Sequence, residues 1–84
     1  MEKVLRWNEL KNARLKRARG ASFQEVLSGD FLQTIEHPSR TGQKIMLFRY
    51  RREVWAVPFV ENEDEIFLKT TYPCRKYRKM FGGE

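Results

Sequence analysis

Three apolar segments packed between residues 44 and 72 constrain this chain more than any other feature: KIMLFRY, VWAVPFV and EIFLKTTY, with only three or four residues between successive segments. Links this short suit hairpins rather than crossovers, so the segments are expected to pair as neighbouring antiparallel strands. Residues 44 to 50 alternate Ile45, Leu47 and Arg49 against Met46, Phe48 and Tyr50, the period of a pleated strand. Residues 54 to 60 are nearly all apolar, and Pro58 removes one ladder donor, which predicts an edge or a bulge there. Residues 65 to 72 alternate Ile66 and Leu68 against Phe67 and Lys69. Pro73 stops this ladder, and 74 to 81 close the chain as a helix frayed by Gly82-Gly83. FLQTIEH, residues 31 to 37, supplies a further strand ahead of the loop HPSRTGQ.

The first third of the chain reads differently. NELKNARLKRAR, residues 8 to 19, predicts a helix capped by Asn8 and ended by Gly20, with Leu10, Ala13 and either Leu15 or Arg17 at helical spacing. Ser22 and Glu25 form a capping-box pattern that starts a second helix over about 22 to 29, closed by Gly29. Two helices followed by a meander define an α+β fold: two N-terminal helices packed on one face of a four-stranded, mainly antiparallel sheet, with a short C-terminal helix. A chain of 84 residues suits one domain, 1 to 84, with a modest core.

Charge decides which partners to expect. Lysine and arginine exceed acids by six, and such an excess favours a polyanion, nucleic acid first. Cys74 is the single cysteine, which excludes an internal disulfide and fits a reducing compartment. The opening residues lack the apolar core of a signal peptide, and no run approaches the roughly 20 apolar residues of a membrane span. A cytoplasmic protein without a membrane partner is the expectation.

Glycine-rich phosphate loops, HExxH, GxSxG and paired histidines are all absent from the sequence, and no cofactor or metal site is expected. Glu61, Glu63, Asp64 and Glu65 read as a solvated turn, because they lack the glycine and spacing of a calcium loop. His37, the sole histidine, stands where a strand enters a proline loop and is the candidate general acid or base, with an exposed loop residue as the plainer alternative. The cationic clusters are the stronger lead. Lys11, Arg14, Lys16, Arg17 and Arg19 crowd one helix with Glu9 as the acid nearby, so they repel one another unless a polyanion neutralises them. Arg75, Lys76, Arg78 and Lys79 flank Tyr77, and Lys69 precedes them on the last strand. A helix dipole attracts cations to its last turn, yet Arg75 belongs to the first. Trp7, Tyr72 and Tyr77 are candidates for stacking on unpaired bases, whereas Trp55 and the phenylalanines read as core.

The opening RWNELKNARLKRARGASFQEVL resembles the WDxxKxxxNxxKHGVSFEEA entry of BrnT-type toxins, the ribonuclease half of bacterial type II toxin-antitoxin pairs in the RelE-like superfamily. The closing IFLKTTYPCRKYRKMF is similar to their IRIISARKATRRERR ending, so the resemblance spans nearly the whole chain. Trp7 and Lys11 fall on the family's aromatic and first lysine, Lys16 or Arg17 on its second basic position, Gly20 and Phe23 on its glycine and phenylalanine. Arg75 falls on the arginine of its SAR motif, and Lys44 where the family has an arginine ahead of its central strand. The chain departs at three places: Asn8 replaces the family aspartate, RARG lacks the histidine of KHG, and Cys74 replaces the SAR serine.

The resemblance implies a RelE-like fold and metal-independent RNA cleavage, in which the ribose 2′-hydroxyl attacks the adjacent phosphate and expels the 5′-oxygen. Lys16, Lys44 and Arg75 are the implied catalytic residues, with Arg75 gripping phosphate through its fork-shaped guanidinium, and His37 is expected to join them in place of the absent family histidine. The other members of the cationic clusters, Lys11, Arg14, Arg17, Lys69, Lys76, Arg78 and Lys79, are the expected RNA contacts together with Tyr77. RNA and a cognate antitoxin carrying a DNA-binding domain are the implied partners, in a homodimer or a toxin-antitoxin heterotetramer. A non-catalytic RNA- or DNA-binding module using the same cations, or a basic partner for an acidic protein, are the competing readings.

Overall fold

A computed structural model describes residues 3 to 81, so Gly82-Gly83 lie outside the described residues. The elements run β1 (Val4–Arg6), α1 (Glu9–Arg19), α2 (Phe23–Leu27), β2 (Asp30–Glu36), β3 (Lys44–Tyr50), β4 (Glu53–Glu61), β5 (Glu65–Leu68), β6 (Tyr72–Pro73) and α3 (Arg75–Met80). The strand order is β1-β5-β4-β3-β2, with β6 also paired to β4. The meander is antiparallel, as its short links require, while β1 joins β5 in parallel.

The helix boundaries follow from local chemistry. Asn8 accepts the Lys11 amide at 2.9 Å, and Gly20 closes α1 in the left-handed region at φ 87°, donating its amide to the Lys16 carbonyl. The Ser22–Glu25 capping box is complete: Ser22 Oγ accepts the Glu25 amide, and the Glu25 carboxylate accepts the Ser22 amide. The buried face of α1, however, is Asn12 and Leu15, and Leu10 stands 77% exposed. Asn12 Oδ1 accepts the buried Phe23 amide at 2.7 Å, and its Nδ2 donates to Gln24 at 2.7 Å. That side chain fastens α1 to α2.

The sheet differs from the expected one in its strands. It has six strands rather than four, since Val4–Arg6 pairs with β5 and the segment 65 to 72 is broken in two. The break is the bulge that Pro58 foreshadows. Phe59 pairs with Leu68 but Ala56 pairs with Tyr72, so Lys69, Thr70 and Thr71 stand opposite Val57 and Pro58. Pro58 accepts the Lys69 amide at 2.8 Å, which turns its missing donor towards the bulge. Thr71 Oγ1 donates to the Ala56 carbonyl at 2.9 Å in the interior. The two N-terminal helices cover one face, as expected, and α3 covers the other. Leu15, Ala21, Phe23 and Val26 from α1, α2 and the turn joining them pack on Phe48, Trp55, Val57, Phe59 and Leu68, whereas Tyr77 of α3 packs on Ile45, Leu47, Val54 and Ala56. A nearly all-apolar β4 has two faces to bury, and each needs a cover.

Candidate nucleic-acid interface

Two adjoining hollows gather cations from distant parts of the chain. The first, about 280 Å³, is lined by Lys11 of α1, His37, Arg40 and Gln43 of the β2–β3 loop, Pro58 of β4, and Lys69, Thr70 and Tyr72 around the bulge. Lys11 and Thr70 also line the second, about 250 Å³, with Arg14, Leu15, Ala18 and Arg19. Among the described residues, no carboxylate lines either hollow. The bulge is what brings Lys69 and Thr70 here, because it swings the chain between β5 and β6 out of the ladder.

Arg19 secures this corner. Its guanidinium donates to the Thr71 carbonyl at 2.7 Å and to Thr70 Oγ1 at 3.3 Å, and lies 5.9 Å from the Tyr72 ring centre. Burial pushes the Tyr72 phenol above its ordinary pKa, with smaller upward contributions from Cys74 and Tyr77 that Arg19 opposes. The phenol therefore keeps its proton near neutrality and serves as a hydrogen-bond donor.

His37 is held in one tautomer. Its Nδ1 accepts the amides of Ser39 and Arg40, both at 3.1 Å, while its own amide donates to the Gln43 carbonyl. With Nδ1 occupied as an acceptor, the ring proton of neutral imidazole sits on Nε2. The ring offers a donor rather than a base.

The four expected catalytic residues are not gathered in one hollow. Lys16 holds the Glu25 carboxylate with two hydrogen bonds of 2.9 and 2.8 Å, so it ties α1 to the capping box of α2. The Lys16 hydrogen bond, followed by the Ser22 amide, lowers the Glu25 pKa. Lys44 lies 3.5 Å from Glu61, which also meets Lys3 at 3.1 Å and has its pKa lowered chiefly by Lys3. Arg75 lines a third hollow, about 250 Å³, with Glu53, Val54, Pro73, Cys74 and Arg78.

Of the expected RNA contacts, Lys11, Arg14 and Lys69 line the paired hollows, Arg78 lines the third, and Arg17, Lys76 and Lys79 are exposed on their helices. Tyr77 corrects the expectation. At 6% exposure it fills the core between α3 and the sheet, and its ring is closed to a base. Trp7 is half-buried, 5.6 Å from Phe23, with Nε1 donating to Glu9. Arg40 went unnoticed in the sequence reading, although a cation in a loop opened by the sole histidine was the available signal. Among the described residues no group of three or more His, Cys, Asp or Glu is placed to hold a metal ion, and no helix is long and apolar enough to cross a membrane. The ENEDE segment is a turn in which Asn62 Oδ1 accepts the Asp64 and Glu65 amides, each at 2.8 Å.

Fold and surface together define an α+β protein with helices on both faces of a largely antiparallel sheet and a groove at its bulged strand that, among the described residues, is lined by cations and no carboxylate. No family model matches the chain, and no curated protein sequence matches it either. Among solved structures, the crystal structure of the ribonuclease toxin BrnT from Brucella abortus is similar, with a TM-score of 0.56 over 88% of this chain and 97% of that one, at 15% identity. The resemblance read from the sequence is thus met at the level of the fold.

Proposed function

We propose that this chain is an RNA-cleaving toxin of a type II toxin-antitoxin pair, acting in the cytoplasm and neutralised by a cognate antitoxin. The observation that carries the reading is the pair of adjoining hollows, in which Lys11, Arg14, Arg40 and Lys69 converge with no lining carboxylate among the described residues. Likeness in fold to a ribonuclease toxin selects RNA among the polyanions such a surface fits. A phosphodiester seated there meets lysine and arginine donors where charge develops on the phosphoryl oxygens as the 2′-hydroxyl attacks. His37 Nε2 and the Tyr72 hydroxyl add neutral donors, and Arg75 with Arg78 offers a further phosphate contact beyond β6. Lys16 and Lys44, each beside a carboxylate, hold the scaffold around the groove.

A second reading, RNA binding without cleavage, is favoured by one specific observation. The His37 nitrogen that would accept a proton is already occupied by two backbone amides. Incubating the purified protein with RNA in EDTA separates the two. Fragments ending in 2′,3′-cyclic phosphate are expected; intact RNA with affinity that falls steeply with salt would establish the second reading instead. RNA that is neither cut nor bound would refute both.

A further inference from the structure

The β3–β4 hairpin turns on two arginines. Arg51 and Arg52 have φ of 52° and 67°, and Tyr50 pairs with Glu53 directly across them. Positive φ at both positions of a two-residue link matches the twist of the flanking strands, and asparagine and glycine favour it because other side chains resist the left-handed region. An Arg-Arg pair therefore holds this turn at the expense of backbone strain. Strain of this kind persists where the surrounding structure enforces it and gathers at sites of function.

Among the described residues the fold uses neither side chain as an ion-pair partner. Neither enters the ion pairs among the described residues, which engage Lys3, Arg6, Lys16 and Lys44. Arg51 instead lies over the Tyr50 ring, 5.2 Å from its centre, and that ring is seated against Trp55 at 6.2 Å. The stack restrains one guanidinium at the tip without neutralising it. The next residue, Glu53, lines the hollow of Arg75 and Arg78. Val54 of this hollow and Pro58 of the His37 hollow are four residues apart on β4, about 13 Å at strand rise.

We propose that Arg51 and Arg52 form a second phosphate-contact site, which holds the backbone of single-stranded RNA extending beyond the His37 hollow. The inference rests on the RNA reading above. Guanidinium forks suit phosphate oxygens, and two of them on a rigid primed turn meet a ligand with little further ordering.

Replacing both residues by the pair this turn prefers, Arg51→Asn with Arg52→Gly, makes stability and binding respond in opposite directions. In the full chain the urea midpoint is expected to rise as strain is relieved. Affinity for a labelled single-stranded RNA of some twenty nucleotides is expected to fall by about tenfold at low salt, and the slope of log K against log salt to lessen by roughly 1.4, the share of two phosphates on a single strand. A dinucleotide, too short to reach the turn, should bind both forms equally. A higher midpoint with unchanged affinity and slope would overturn the inference, as would a lower midpoint, since the turn would then not be strained. Wild-type protein that shows no salt-dependent RNA binding would overturn the RNA reading itself, whatever the variant does.

Discussion

Asn12 shows how much one side chain carries in a core of this size. Its Oδ1 is the acceptor of a buried amide, that of Phe23, whose side chain is wholly buried. Asn12→Ala leaves that amide unsatisfied, and an orphaned buried donor costs about 1–3 kcal/mol. The urea midpoint is expected to fall accordingly, with the denaturant slope unchanged. Nothing in the sequence marks this role, because an asparagine inside a cationic helix reads as one more polar residue. The capping box ten residues later was legible for the opposite reason: both of its hydrogen bonds close within four residues. His37 is a mixed case. Its place at a strand end was legible, and its fixed tautomer depends on how the following loop folds back.

Among the elements, the join between α2 and β2 is tight. A Cβ on Gly29 would collide with the Arg49 carbonyl oxygen, where β2 begins to pair with β3 at Asp30 and Arg49. Gly29→Ala is expected to cost about 1–3 kcal/mol by overpacking, and faster amide exchange along β2 than elsewhere in the sheet would localise the damage. Gly29 is expected to close the second helix, but α2 ends at Leu27 with Ser28 as its cap, and the duty the structure gives Gly29 is one no local pattern encodes. The meander itself was legible, since alternation and short links fix its pairing. β1 was not. A three-residue strand has too few positions to show a period, and its partner β5 begins 61 residues after it, with Val4 opposite Glu65.

At the scale of the molecule, ion pairs link the two ends of the sequence and set the response to acid. The folded-state pKa values of Glu25 and Glu61 are lowered, so their contribution to stability is present above the ordinary glutamate range and is lost as pH falls through the folded values. Melting temperature is expected to stay level from neutrality to about pH 5 and to drop below about pH 4.3, where glutamate ordinarily titrates. Lys16→Gln should shallow that acid limb, and salt should weaken it in the wild type, because both pairs are exposed. An acid limb unchanged in Lys16→Gln would show that the Glu25 pair is not part of it.

The sequence by itself determined the helix N-caps at Asn8 and Ser22, the antiparallel meander, an irregularity at Pro58 and the cationic surplus. Each is settled by a few consecutive residues or by counting. Only the tertiary structure decided which cations meet carboxylates and which remain to line a groove, and that assignment separates Lys16 and Lys44 from Lys11, Arg40 and Lys69. It likewise put Tyr77 into the core and Tyr72 beside His37, although both sat in the same short C-terminal run. The physical reason is range. Capping and alternation act between near neighbours, whereas burial and charge pairing depend on residues that meet only after the sheet has closed.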